Sequence, residues 1–190
     1  LHFLMQQTNL QRKTALFFSD IVGYSQMMAK DEVSALSLLK EHDSILISII
    51  DNFHGIIIKH IGDAIFAEFI SIENATDASK NIQKELIRRN NIVRAKEKIS
   101  IRIGLHYGLV TEKEGDLFGH DVNLCSRIEG TALPDGIAIS HEGLQKIDKK
   151  SIFSRSYGQV KLKNIPSPIE IHRIYSSKSE YNQERHENML

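Results

Sequence analysis

Two aspartates carry the plainest chemistry in this sequence. Asp20 stands in Phe17-Phe18-Ser19-Asp20-Ile21-Val22-Gly23-Tyr24-Ser25, and Asp63 stands in Ile61-Gly62-Asp63-Ala64. Each falls where an apolar run ends or reverses, and a carboxylate there offers oxygen to a hard divalent cation. The residues after Asp20 are small or polar, and their backbone amides suit a phosphate. Metal plus phosphate is therefore the chemistry to place. Taken singly, Gly62-Asp63 also reads as ordinary turn chemistry, and Asp20 as a helix N-cap.

The elements that must hold these residues follow from periodicity. Thr14 to Ser19 is a short apolar run that reads as a buried strand. Ser25 to Asp51 carries Val33, Leu36, Leu39, Leu46, Ile49 and Ile50 at helical spacing, with Asp31 as a candidate N-cap. Residues 56–61 and 64–69 are two β-rich runs flanking Gly62-Asp63, the pattern of a hairpin. Glu73 to about Asn91 reads as a second helix, and Ile99 to Val110 as a long strand in which Gly104 and Gly108 permit close backbone approach or a bulge. A short helix is expected from Asp121 to Ile128, then a strand to Ser140 and a short helix to Ile147. A last strand pair is expected at Val160 to Leu162 and Ile169 to Tyr175. The order β-α-β-β-α-β describes an α/β (α+β) ferredoxin-like palm with extra C-terminal α and β pieces. Residues 1–12 read as a lead-in segment, 13–175 as one domain, and 176–190 as a polar, mobile tail.

Composition removes several function classes. The 190 residues suit one domain with a full core, and 24 basic against 24 acidic residues give no net charge to draw it toward nucleic acid. Arg88, Arg89, Arg94, Lys96 and Lys98 read as a solvated helix end. A single cysteine, Cys125, excludes an intrachain disulfide and a cysteine-based zinc site; it reads as a small buried hydrophobe in a reducing, cytoplasmic setting. His54, His60, His106 and His120 match no closed zinc spacing. No apolar run nears the ~18 residues of a membrane span, and the first ten residues lack the charged start and cleavage site of a secretory signal. The chain opens on Leu1 rather than Met, which leaves room for an upstream regulatory or sensor domain.

Four motifs, in order, resemble the class III nucleotidyl cyclases: Phe18-Ser19-Asp20-Ile21-Val22-Gly23-Tyr24-Ser25, Lys59-His60-Ile61-Gly62-Asp63, Arg102-Ile103-Gly104-Leu105-His106-Tyr107-Gly108, and Gly119-His120-Asp121-Val122-Asn123-Leu124-Cys125-Ser126-Arg127. The resemblance implies that Asp20, Asp63 and the carbonyl of Ile21 bind two divalent cations, Mg2+ or Mn2+. It implies that Val22, Gly23, Tyr24 and Ser25 present amides to a triphosphate, and that Lys163, or Lys161 nearby, grips the terminal phosphates.

Lys59 and Asp116 resemble the family's base-reading pair. Lysine only donates and aspartate only accepts, which matches the acceptor N1 and donor N6 of adenine; guanylyl members typically carry Glu and Cys. The implied substrate is therefore ATP and the implied product cyclic AMP. Asn123 and Arg127, four apart on one helix face, resemble the residues that orient the ribose and stabilise the transition state. Because the family builds its sites between two domains, a head-to-tail homodimer is implied. One departure is that Thr111-Glu112-Lys113-Glu114-Gly115 lacks an arginine that several members place before Asp116. The rival readings are a guanylate cyclase and a catalytically silent nucleotide-binding, dimerising regulator. A diguanylate cyclase is excluded because its Gly-Gly-(Asp/Glu)-Glu-Phe run is absent.

Overall fold

The computed structural model describes residues 10–187. Its first strand, β1 (Leu10–Ile21), is apolar on both faces from Ala15 to Phe18, as a strand covered on both sides must be. Two helices follow, α1 (Tyr24–Lys30) and α2 (Glu32–Asn52). The sequence reads as one helix here; the chain breaks it at Asp31, whose extended backbone ends α1 and whose carboxylate accepts from Ser34 N at 3.1 Å to start α2. The expected hairpin is β2 (Gly55–Ile61) and β3 (Ala64–Phe69), and α3 (Ile72–Asn90) is capped by Ser71.

β4 (Ile101–Lys113) is the long strand. It turns through Glu114 and Gly115, both at positive φ, into β5 (Asp116–Phe118), a strand the periodicity does not reveal. Then come α4 (His120–Glu129), β6 (Ile137–Ser140), α5 (His141–Leu144), β7 (Phe153–Val160), β8 (Ile169–Tyr175) and α6 (Lys178–Glu187).

The strands form one sheet in the order β2-β3-β1-β4-β6-β8-β7, with β5 added to β4. Its first four strands, with α1/α2 and α3 as crossovers, are the expected ferredoxin-like palm. Ala15, Phe17 and Ile21 point from β1 into a core with Leu46, Ile50, Ala75, Ile82 and Leu86, under α2 and α3. Leu16 and Phe18 point the other way, against Phe66, Val110, Leu117 and Cys125. Strand alternation puts Asp20 on this second face, with α4.

Two glycines let α4 lie there. A Cβ on Gly104 would sit 2.3 Å from Glu129 N, and one on Gly108 would sit 2.4 Å from Asp121 Oδ2. Close approach, rather than a bulge, is their use, and it fixes where the side chains of α4 emerge.

Two expectations need correcting. The strand placed at Val160 to Leu162 is β7, ending at Val160; Leu162 is a buried loop residue packed with Leu124 and Ile171. The segment 176–190, read as a mobile tail, contains α6, held by Arg173 through Glu180 at 3.0 Å and Glu184 at 2.9 Å. Residues 1–9 of the expected lead-in, and 188–190, lie outside the described residues; Leu10 to Arg12 belong to β1.

Candidate active site

The end of β1 and the β2–β3 turn meet through one hydrogen bond: the amide of Ile21 donates to Asp63 Oδ2 at 2.8 Å. The two aspartate motifs therefore share one corner. Across β1 and β4, Asp20 pairs in register with Arg102, whose guanidinium donates to both carboxylate oxygens at 2.8 and 3.1 Å. From α4, Glu129 brings Oε1 to 3.3 Å from Arg102 Nε. Burial pushes the Glu129 carboxyl up to about 8, and the nearby Asp20 and Asp63 push the same way, while Arg102 opposes them. Asp20 and Glu129 thus flank one guanidinium, and Asp63 acts on it electrostatically from farther off.

Arg102 and Glu129 were not among the residues singled out from the sequence. Arg102 heads one of the quoted motifs, but only the β1–β4 register shows that it faces Asp20.

Lys59 and Asp116, 57 residues apart, meet on the neighbouring edge: Lys59 Nζ lies 2.6 Å from Asp116 Oδ2 and 2.9 Å from Oδ1. A bulge in β2 between Ile57 and Lys59 shifts the pairing just before the lysine, a usual way to re-aim a side chain. The short β5 brings Asp116 to it. Lys59 Nζ also lies 5.5 Å from the Phe118 ring centre and 5.9 Å from that of Phe66.

On α4, Asn123 and Arg127 are both exposed and share a face. Among the described residues Arg127 forms no ion pair: its helix neighbours Glu129 and Asp121 are engaged elsewhere, Glu129 with Arg102 and Asp121 as acceptor from Leu109 N at 2.6 Å.

A family model of the adenylate and guanylate cyclase catalytic domain matches residues 6–176. The chain belongs to this family. It is 32% identical over 165 residues to a putative adenylate cyclase 3 of Rhizobium meliloti, covering 85% of this chain and 28% of that protein. It is also 30% identical over 151 residues to the receptor-type guanylate cyclase gcy-6 of Caenorhabditis elegans, covering 70% of this chain and 14% of that one. The cyclase domain thus spans a third or less of these curated relatives. A crystal structure of an adenylate/guanylate cyclase/hydrolase from Silicibacter pomeroyi superposes with a TM-score of 0.81 at 29% identity, covering 88% of this chain and 98% of that one.

Within the cyclase domain the segment after Asp20 is only partly open to a phosphate. The amide of Val22 donates to Ser100 O at 2.9 Å, so of the four amides proposed from the sequence, Val22's is engaged by the fold. Gly23, at φ 74, precedes α1, and its surroundings are empty within 4 Å of a would-be Cβ. Lys163 and Lys161 are both exposed, in the loop between β7 and β8. Cys125 is fully buried, and burial raises its thiol well above the usual range, as expected of a small buried hydrophobe. Among the described residues no helix is long and apolar enough to cross a membrane.

The donors at this corner fit a hard divalent cation. They are the carboxylates of Asp20 and Asp63 and a backbone carbonyl, all oxygen. Burial is the main cause that lifts Glu129, and Asp20 and Asp63 add to it, so the carboxyl beside this corner favours its neutral form unless a further positive charge is close by.

Proposed function

We propose that this cyclase domain is an adenylate cyclase, converting ATP to 3′,5′-cyclic AMP and pyrophosphate. The observation that carries the substrate assignment is the contact of Lys59 with Asp116 at 2.6 Å. It places one donor-only and one acceptor-only group side by side, the pattern that reads the N1 and N6 edge of adenine. A site built for that edge leaves buried polar groups unpaired against guanine.

In the reaction the ribose 3′-hydroxyl gives up its proton and its oxygen bonds to the α-phosphorus, while the bond from that phosphorus to the α,β-bridging oxygen breaks, releasing pyrophosphate and the proton to solvent. Asp20, Asp63 and the Ile21 carbonyl are the groups that would hold Mg2+ or Mn2+, and such ions would supply positive charge to the attacking 3′-oxygen and to the leaving pyrophosphate. Arg127 gives the α-phosphate a permanently charged planar donor, and Asn123 positions the ribose. The amides of Gly23, Tyr24 and Ser25, with Lys163, hold the phosphate tail.

The direction of Arg127 supports a site shared by two chains. Glu129 faces Asp20 and Arg102 in its own chain. At 3.6 residues per turn, Arg127 points about 200° away from it and is exposed. Arg127 therefore serves a nucleotide held by the aspartates of a partner, as in a head-to-tail homodimer with two equivalent sites.

The deciding experiment assays the purified chain for cyclic nucleotide with ATP and with GTP, each with Mg2+ and with Mn2+. Cyclic AMP from ATP is expected. Preference for GTP would reject the substrate assignment, and no product with either would favour the silent regulator.

A further inference from the structure

A second cluster of ligand-type side chains lies away from the catalytic corner. His141 opens α5, and Glu170 and His172 lie on β8. Their donor atoms converge: His141 Nδ1 is 3.1 Å from His172 Nε2, His172 Nε2 is 3.2 Å from Glu170 Oε1, and His141 Nδ1 is 3.5 Å from Glu170 Oε2. Bonds of 2.0–2.1 Å at the tetrahedral angle set ligand atoms about 3.3 Å apart. The three separations bracket that edge length. We infer that His141, Glu170 and His172 form a binding site for a transition ion of the Zn2+ class.

The supporting groups are in place. Gln145 lies 2.8 Å from His141 Nε2, and its amide turned end for end places the oxygen there to accept the Nε2–H of a ring that binds through Nδ1, while the Ser156 hydroxyl donates to Glu170 Oε1 at 3.0 Å. The site is reachable: the His141 side chain is 41% exposed, Glu170 is 32% and His172 is 10%. Two imidazoles and one carboxylate are a borderline-soft donor set, suited to Zn2+ rather than to the Mg2+ favoured by an all-oxygen corner. Three protein ligands leave a fourth position open to water or a small anion.

The site is separate from the catalytic one. His172 pairs with Ile139 and Ile174 with Ile137, so His172 shares the sheet face of the core under α2 and α3. Asp20 shares the opposite face with Phe18. The sequence hides the cluster because His141 and His172 are 31 residues apart and meet only when α5 docks on β8. An ion here ties α5 to β8, just after the loop that carries Lys163.

The test titrates the whole chain with Zn2+ by calorimetry, in excess Mg2+ so that the catalytic carboxylates are occupied. One ion per chain is expected. His141→Ala, at an exposed position, and Glu170→Gln should each weaken it by about 10-fold or more, while Asp20→Ala leaves it unchanged. Unchanged affinity in His141→Ala, or loss in Asp20→Ala, would overturn the site. Wild-type protein gives an independent reading by NMR. Substoichiometric Co2+ should shift and broaden the ring protons of His141 and His172, and undisturbed signals from both would equally dismiss it.

Discussion

The amide of Ile21 donates to Asp63 Oδ2 at 2.8 Å, so one carboxylate both ties the β2–β3 turn to the end of β1 and stands beside Asp20. The structural and the chemical parts of that work separate by substitution. Asp63→Asn keeps an oxygen for the Ile21 amide but loses the charge that a cation needs. It should unfold within ~1 kcal/mol of wild type and make no cyclic nucleotide. Asp63→Ala should add a stability loss of ~1–3 kcal/mol to the same loss of turnover, because the amide is left without its partner. Urea unfolding beside a cyclic nucleotide assay checks both. Retained turnover in folded Asp63→Asn would remove the carboxylate from the chemistry.

Arg102 pairs with Asp20 and lies against Glu129, 2.8 and 3.3 Å away. Replacing it with methionine keeps most of the aliphatic stem and leaves the two acids facing each other. The side chain of Arg102 is 31% exposed, so solvent screens part of the effect and a loss of ~1–2 kcal/mol is expected. Millimolar Mg2+ should recover much of that loss in Arg102→Met and stabilise wild type less, since the ion binds the folded carboxylates alone. Equal stabilisation of both proteins would show that Arg102 and the cation do not share Asp20.

How much of this site could be read from the sequence depended on whether position or pairing defines the residue. Asp20, Asp63, Asn123 and Arg127 are candidates that short motifs show directly in the sequence. Arg102 and Glu129 become site residues only through the β1–β4 register and the seat of α4 on Gly104. β7 lies ahead of the apolar residues that mark the strand in the sequence, because Phe153 to Val160 has no apolar face and backbone pairing to β8 holds it, while the apolar Leu162 lies beyond its end. α6 escaped for a similar reason, since Arg173 holds it through two carboxylates rather than through an apolar stripe. The palm itself was readable because β1, the hairpin, α3 and β4 each carry the period that their burial demands.

Lys59 and Asp116 make base preference separable from turnover. Lys59→Glu with Asp116→Cys replaces a donor and an acceptor by groups that suit the N1 and N2 hydrogens and O6 of guanine. The ratio of kcat/KM for ATP to that for GTP should fall by about 10²-fold or more. Lys59→Ala alone should weaken ATP without favouring GTP, because it leaves Asp116 without its cation. An unchanged ratio in the double variant would place the base elsewhere.

His42 links pH to stability. Its ring is fully buried, with Nδ1 2.9 Å from Asp43 Oδ1. Burial holds its pKa below the usual 6.5; Asp43 and Asp63 oppose that, and His60 adds to it. The unfolded chain therefore takes up the proton first as pH falls. The His42 contribution is whole above about pH 6.5 and is lost below it, by at most ~1.4 kcal/mol per pH unit. His42→Leu should flatten this slope in urea unfolding between about pH 7 and pH 5. A slope equal to that of wild type would assign the acid sensitivity to other groups.

The outward direction of Arg127 makes the shared site testable by mixing two inactive chains. Arg127→Ala alone should lower kcat by about 10²–10³-fold with KM little changed, as for loss of one transition-state donor. Asp20→Ala should be inactive. If Arg127 acts on the nucleotide of its partner, a mixed dimer contains one site with both defects and one with neither. Random exchange puts half of the chains in mixed dimers, so the mixture should recover about a quarter of wild-type turnover. A site complete within one chain would instead leave the mixture no more active than its parents, because every site would then carry one of the two defects.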